Sequence, residues 1–309
     1  MVKRGTHLLL ADMVTSVSDA QFQTVTRGGR WHGRYGTLSC PLCQAEARAV
    51  QNALTLADGR KGLLLHCKKA GCSFRDLTAA LGISHGPHAV PDPAVIARRE
   101  TGRLAEAEKR ARQAQALWYE ASLISGIIAE TYLRGRGIIC ALPDTLRYHP
   151  KAWHLSGRHL PALVARVDGS DGFAVHRTYL QHDGSSKADA APVKAMLGAV
   201  QGGAVHLTES VSGPLVVAEG IETALSLASG LLQEKSTVWA ALSTSGMRAL
   251  RLPPQPGRLT VAVDGDTPGR AAGYALAERA HELGWQVSIL DPGTGADFND
   301  ILTGKAVAA

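Results

Sequence analysis

The 309-residue chain is 45% hydrophobic and 19% charged, ordinary proportions for a globular protein with room for two or three cores. No run approaches the roughly 18 apolar residues a membrane span needs. The start, MVKRGTHLLLADMV, is basic and then apolar but lacks a small-residue cleavage site, so it reads as a short helix rather than a signal peptide. A cytoplasmic chain with reduced cysteines is expected. The net charge of +6 is unevenly spread, at +6 over residues 1–100, +4 over 101–200 and −4 over 201–309. A basic front and an acidic back suit a protein that holds a polyanion at one end and metal ions at the other; solubility alone would explain the same bias.

Residues 1–83 form the first expected unit, built on cysteines. Cys40-Pro-Leu-Cys43 is followed after 23 residues by Cys67, with Cys72 five further on. Two thiolate pairs separated by the length of a β-hairpin can surround a Zn²⁺ ion tetrahedrally, and Gly59 and Gly62 would supply the turn. His66 could replace Cys67 as a ligand, or simply end a strand. Cys140 stands apart and reads as core packing. A site closed by four ligands offers no open position for catalysis, so its role would be to fold a small platform. Arg27, Arg30, Trp31, His32, Arg34 and Tyr35 precede the cluster, and Lys68 and Lys69 lie within it. Positive charge interleaved with aromatics suits single-stranded nucleic acid. A packed Trp and Tyr under a solvated basic face is the competing reading. A short helix from Phe74 to Leu81, stopped by Gly82, should close the unit.

Residues 84–130 are expected to be a linker, HGPHAVPDPAV, followed by one or two helices between Val95 and Ile128. The arginines there sit on a solvated helix face or touch nucleic acid. Across residues 131–212, YLRGRGI, HLPALVARVD, GFAVHRTYL and GAVHLTE read as short β-like runs divided by Gly-Asp turns, giving a small α+β lobe. From 213 to 309 strand and helix alternate. PLVVAEG, STVWAAL, RLTVAVD and WQVSILD read as buried strands, with TALSLASGL and GRAAGYALAERAHEL as helices between them. That order predicts an α/β unit with a parallel sheet.

The chemistry-bearing residues of this last unit follow its strands. Glu219 ends LVVAE, Asp264 and Asp266 end LTVAVDGD, and Asp297 and Asp300 lie in GADFND. Residues at the carboxyl ends of parallel strands project into a common crevice. Carboxylates gathered there repel one another unless a cation joins them, and Mg²⁺ or Mn²⁺ takes such hard oxygen ligands while bridging to phosphates. Gly265 would permit close approach. Glu219 could instead serve as a charge at a helix N-terminus, and Asp297 or Asp300 could cap the helix through Leu302.

Val-Ala-Glu-Gly-Ile-Glu-Thr-Ala (217–224), Val-Asp-Gly-Asp-Thr-Pro-Gly-Arg (263–270) and Asp-Phe-Asn-Asp (297–300) resemble the three motifs of the Toprim fold. That fold is shared by bacterial-type primases, topoisomerases, some nucleases and recombination mediators. Leu-Arg-Tyr-His-Pro (146–150), His-Arg-Thr-Tyr-Leu (176–180) and Lys-Ala-Met-Leu-Gly (194–198) are similar to segments of phage and plasmid primases of mobile elements. The order of zinc ribbon, α+β lobe and Toprim domain is that of the primases. One departure is Cys43, where mobile-element relatives often carry His as the second ribbon ligand; another is that no helicase or helicase-binding domain follows.

The resemblance implies a DNA primase that makes short RNA primers on single-stranded DNA from nucleoside triphosphates, working with a replicative helicase. It implies Asp264 and Asp266, with Glu219 or Asp297, as ligands of one or two Mg²⁺ or Mn²⁺ ions. Glu219 is alternatively the general base. Lys194 and Arg177 match basic positions lining the primase cleft, and Arg134, Arg136, His149 and Lys151 are weaker candidates for the same role. Two rivals remain: a non-catalytic zinc and Toprim protein of the recombination-mediator kind, and a Toprim nuclease. Nucleases of that kind usually carry an ATPase, and the sequence contains no G-x-x-x-x-G-K-[ST] loop.

Overall fold

The computed structural model describes residues 18–32, 35–44, 52–59, 62–83 and 93–304. The expected N-terminal helix, Arg34 and most of the HGPHAVPDPAV linker lie outside the described residues. The chain divides into two compact units, Met1–Thr101 and Gly102–Ala309. Among the described residues no helix is long and apolar enough to cross a membrane.

In the first unit α1 (Ser18–Thr26) leads into an antiparallel sheet ordered β1 (Arg30–Trp31), β2 (Tyr35–Leu38), β3 (Leu54–Gly59) and β4 (Gly62–Cys67). Leu54 and Leu56 alternate inward along β3 and pack with Leu38, Ala20, Leu77 and Leu81. Gly59 faces Gly62 across the hairpin, as its sequence suggests. The helix α2 (Phe74–Ala80) starts where the Ser73 hydroxyl accepts the Asp76 amide at 3.2 Å. It ends before Gly82, whose left-handed φ of +63° a side chain would resist. The long helix α3 (Pro93–Glu120) crosses the division between the units.

The second unit opens with β5 (Ser122–Leu123) and α4 (Ile128–Gly135). The YLRGRGI run was expected to be β-like, yet Tyr132-Leu133-Arg134-Gly135 completes α4. Ala129, Tyr132 and Leu133 fall on one helical face and are buried, while Glu130 pairs with Arg134 one turn on at 2.9 Å. Helical spacing of the apolar residues outweighed their β propensity. An antiparallel sheet follows in the order β5, β6 (Leu146–Trp153), β7 (His159–Val167), β8 (Ala174–Tyr179), β9 (Lys194–Leu197). One face buries Ala162, Val164, Val175 and Tyr179 against Ala114 and Trp118 of α3. The opposite face, with Leu163, Ala165, Ala174 and Leu180, shares a core with the C-terminal sheet.

That C-terminal sheet comprises β10 (Val205–Thr208), β11 (Leu215–Ala218), β12 (Thr237–Ala240), β13 (Arg258–Ala262) and β14 (Gln286–Leu290). Its order is β10-β12-β11-β13-β14, parallel throughout except for β10, which runs antiparallel along the edge. The GAVHLTE run was expected to close the preceding lobe. Its strand β10 pairs instead with β12, through Val205 opposite Ala240, so the hydrogen bonds move it into the last sheet. An alternating strand declares its buried face but not its partner, which is why the sequence misplaced it. The helices are α5 (Ile221–Ser226), continued by a π-type turn over Leu227–Leu231, then α6 (Thr244–Ala249), α7 (Thr267–Glu282) and α8 (Phe298–Leu302).

Asn299 ties three of these elements together from a buried position. Its amide nitrogen donates to the Arg136 carbonyl beyond α4 at 2.7 Å and to Ser226 Oγ on α5 at 2.9 Å. Ser226 Oγ in turn donates to the Glu222 carbonyl. Replacing Asn299 with Ala removes the donor to one buried and one half-buried acceptor, so Asn299→Ala should lower unfolding stability by about 1–3 kcal/mol in urea titrations. A change below about 0.5 kcal/mol would show the clamp to be idle.

Candidate functional site

The strand order supplies the crevice. The chain passes from β11 to its neighbour β12 and then jumps back across β11 to reach β13, so connections leave the β11 and β13 ends on opposite sides. Ligands bind at such a switch point in open α/β sheets. Glu219 follows β11 directly, and Asp264 and Asp266 follow β13 after Val263.

Gly265 lets a further carboxylate join them. A Cβ at this position would lie 2.1 Å from the Gly293 carbonyl oxygen and 2.5 Å from that of Ala296, so only glycine admits the loop. The loop is then stitched on by Gly265 N–H to Ala296 O at 3.2 Å and Gly295 N–H to Gly265 O at 3.0 Å. This contact delivers Asp297 beside Asp264. Asp266 and Asp297 each also cap a helix: Asp266 Oδ1 accepts the Gly269 amide at 2.7 Å, and Asp297 Oδ1 accepts the Asp300 amide at 2.8 Å. Capping uses one oxygen of each and leaves the other.

The electrostatics record the convergence. Burial raises the Glu219 carboxyl above its ordinary range, and Asp264 and Asp266 push it further, while Lys194 and the Thr244 amide at the start of α6 pull it down. Burial likewise raises Asp264, followed by Asp297 and Asp266, with Lys194 again opposing. Asp264 Oδ1 is buried and accepts no hydrogen bond from any described group. A buried, unsatisfied carboxylate oxygen among other acids is a costly arrangement that a proton or a cation would relieve. The carboxylates of Glu219, Asp264, Asp266 and Asp297 are hard oxygen donors of the kind a divalent metal ion takes, although among the described residues the group close enough together to hold an ion is the four-cysteine set and not these acids. Among the described non-glycine residues only Leu242 has a left-handed backbone, with φ at 72°, and its amide donates to the Glu219 carbonyl at 2.7 Å.

Lys194 on β9 acts electrostatically on Glu219 and Asp264, and its direct partner is one that the sequence did not reveal. Its Nζ lies 3.2 Å from Glu222 Oε2, and Lys187 Nζ lies 2.9 Å from Glu222 Oε1. The Tyr132 hydroxyl donates to Glu222 Oε1 at 2.9 Å. Although burial raises the Glu222 carboxyl, Lys194 and Lys187 outweigh it and hold the group ionised, well below the carboxylate range. His176, buried alongside, is pushed down to about 4 by desolvation and then by Lys194, and stays neutral. Glu222 stands in the quoted EGIET segment, one helical turn after Glu219, but nothing in the spacing distinguishes it from a surface acid. Lys187 lies in a loop with no periodicity to flag it.

The other expected basic residues separate. Arg177 is buried on the face of β8 turned away from the carboxylates, alongside Val175 and Tyr179. Its guanidinium donates to the Trp153 carbonyl at 2.8 Å and lies 5.7 Å from the Tyr179 ring centroid. Strand alternation explains this: neighbours His176 and Thr178 take the face that Arg177 does not. Lys151 is exposed on β6, at the other side of the sheet from β9, with its amide donating to His149 Nδ1. Arg136 follows α4, where its charge pulls the Tyr132 phenol down against the stronger effect of burial. Arg134 is held by Glu130 and by the carbonyls of Ile138 and Cys140.

In the N-terminal unit, one candidate ligand atom from each of Cys40, Cys43, Cys67 and Cys72 lies within 4.8 Å of the others. Cys40 Sγ is 3.8 Å from Cys72 Sγ, and Cys43 Sγ is 3.5 Å from Cys67 Sγ. Gln44 Oε1 braces the first pair by accepting the Cys40 and Ala53 amides. The Ala70 amide, donating to Cys67 Sγ at 3.5 Å, lowers that thiol to about 5, whereas burial raises Cys43 to about 12. His66, on β4, pairs with Thr55 of β3 and is exposed, so Cys67 is the member of the set. The nearby aromatics are mixed in character: Trp31 packs against the core, while Tyr35 stays exposed and stacks on His32 with centroids 4.8 Å apart.

Two outcomes are expected. Elemental analysis should find about one equivalent of zinc per chain, lost in Cys43→Ser together with much of the stability of the N-terminal unit. Gly265→Ala should displace the loop ahead of Asp297 and weaken Mn²⁺ binding by about tenfold or more in a paramagnetic titration. Unchanged Mn²⁺ affinity would show that the loop contact does not organise the carboxylates.

A Toprim domain family model matches residues 214–307, and a domain of unknown function (DUF7146) matches residues 108–207. No curated protein sequence matches the chain. Among solved structures, it is similar to the zinc-binding and RNA polymerase domains of the Aquifex aeolicus primase, at 14% identity and a TM-score of 0.43, covering 89% of this chain and 77% of that one. It is also similar to a DNA primase domain from Pseudomonas aeruginosa, at 18% identity and a TM-score of 0.39, covering 63% and 75%. A third similar structure is the RNA polymerase domain of the Mycobacterium tuberculosis primase, at 16% and 0.35, covering 65% and 78%. The chain is a mixed α/β protein with a Toprim domain over residues 214–307 and, near its N-terminus, a cysteine cluster compatible with a zinc ribbon.

Proposed function

We propose that the protein is a DNA primase that joins ribonucleotides on a single-stranded DNA template. The observation that carries this reading is the mutual electrostatic influence of Glu219, Asp264, Asp266 and Asp297, together with the buried, unsatisfied Asp264 Oδ1 and the action of Lys194 of the preceding lobe on the same acids. In this reading those four carboxylates hold one or two Mg²⁺ or Mn²⁺ ions. Divalent metal bound there would neutralise a triphosphate and acidify the attacking 3′-hydroxyl.

The chain's own groups then have distinct tasks. Asp264 and Asp266 would be the principal metal ligands, with Glu219 or Asp297 completing the set. Alternatively Glu219, whose raised carboxyl binds a proton more readily than an exposed one, would take the 3′-hydroxyl proton as general base and leave the metal to the aspartates. Lys187 and Lys194 stand where the phosphates of an incoming nucleotide would lie. Arg177 is given no contact with substrate, because its guanidinium is engaged within the sheet. The four-cysteine unit, proposed to hold zinc, would present Arg30, the His32–Tyr35 stack, Lys68 and Lys69 to the template.

Purified protein incubated with single-stranded DNA, labelled nucleoside triphosphates and Mg²⁺ or Mn²⁺ should yield short labelled products. Asp264→Asn and Asp266→Asn should each reduce them by at least about a hundredfold while the fold, followed by circular dichroism, is kept. Undiminished synthesis by both variants would end the reading. Metal-dependent cleavage of labelled DNA without synthesis would support a nuclease, and DNA binding with neither activity a mediator.

A further inference from the structure

We propose that Glu222 is a positioning residue that fixes Lys187 and Lys194 as a paired phosphate-binding clamp at the edge of the carboxylate crevice. The inference rests on the polymerising reading for the identity of the ligand, a nucleoside triphosphate, but its geometry stands apart from it.

Glu222 belongs to α5 of the Toprim domain, whereas the groups that reach it come from three separate parts of the preceding lobe. Tyr132 arrives from α4, Lys187 from the loop after β8, and Lys194 from β9. Each carboxylate oxygen takes one ammonium, at 2.9 Å and 3.2 Å, and Oε1 also accepts the Tyr132 hydroxyl. The exposures divide the labour. The Glu222 side chain is only 7% exposed, yet those of Lys187 and Lys194 are 31% and 38% exposed. A purely internal ion pair would bury both partners. Here the acid is hidden while about a third of each lysine side chain stays open to solvent, and an ammonium has three donors of which Glu222 takes one.

Charge balance gives the clamp a purpose. Flexible lysines beside Glu219 and Asp264 would fold onto those carboxylates and compete with metal for them. Glu222 offers the ammonium groups a nearer, fully ionised partner, so they remain at the rim. There they would meet the oxygens of a triphosphate while its metal sits on the other acids. Fixing two rotamer-rich side chains before the ligand arrives also removes an ordering cost from binding.

The test is equilibrium binding of ATP and GTP to the full chain in Ca²⁺, without turnover. Glu222→Gln should weaken binding by about tenfold, and Lys187→Met and Lys194→Met should do so comparably. Adding Glu222→Gln to the Lys187→Met/Lys194→Met chain should cost nothing further, because the clamp is already gone. A merely structural Glu222 would lower the melting temperature in both backgrounds and leave nucleotide affinity within about twofold, which overturns the proposal. The single lysine variants alter half-buried side chains, each leaving Glu222 one ammonium partner, and keep it testable if Glu222→Gln fails to fold. A wild-type chain that binds neither nucleotide overturns the polymerising reading as well, whereas binding that ignores all three substitutions overturns the clamp alone.

Discussion

Like-charge repulsion at the ends of β11 and β13 is the constraint around which the C-terminal half is organised. Four acidic side chains are held near one another, and burial raises two of them further. Left to themselves they would separate. The backbone prevents it: parallel pairing aligns Ala218 with Ala262, which sets Glu219 and Asp264 on adjoining strand ends. Gly265 accepts the 293–296 loop at a distance no side chain allows. Two acids are further anchored as helix caps, so part of the electrostatic cost is offset by satisfied amides. Stored repulsion of this kind is characteristic of sites completed by a cation.

The preceding lobe supplies the countercharge, and it does so through a single acid. Glu222 draws together a helix, a loop and a strand that are distant in sequence, while Asn299 ties α8 to α4 and α5 on the same side of the domain. The lobe and the Toprim domain share one apolar core, so polar pairs between them sit over a packed base rather than a wet seam. Pre-arranged charges over such a base need little reorganisation when a charged ligand enters. The N-terminal cysteine unit follows a different economy: with few large buried side chains, its fold leans on the sulfur cluster at the ends of its strands.

Much of this was legible before any coordinates. Periodicity and strand-end acids identified the parallel sheet, and Cys40, Cys43, Cys67 and Cys72 were recognisable because metal ligation demands particular atoms at short spacings. Local patterns misled where two readings shared the same residues. Tyr132 and Leu133 suit a strand by propensity but follow helical spacing from Ala129. Arg177 resembles a cleft cation until strand alternation is given a direction, and then it turns inward to Trp153 and Tyr179.

The sequence by itself determined the elements and the chemical inventory: which residues can ligate metal, which strands are buried, where glycine is required to turn. Tertiary structure decided partnership. That β10 joins the last sheet, that Lys187 and Lys194 meet on Glu222, and that Asp297 reaches Asp264 are facts of long-range packing. The physical reason is that propensity, capping and spacing act over a few residues, whereas charge pairing and strand partnership depend on groups brought together only when the core closes.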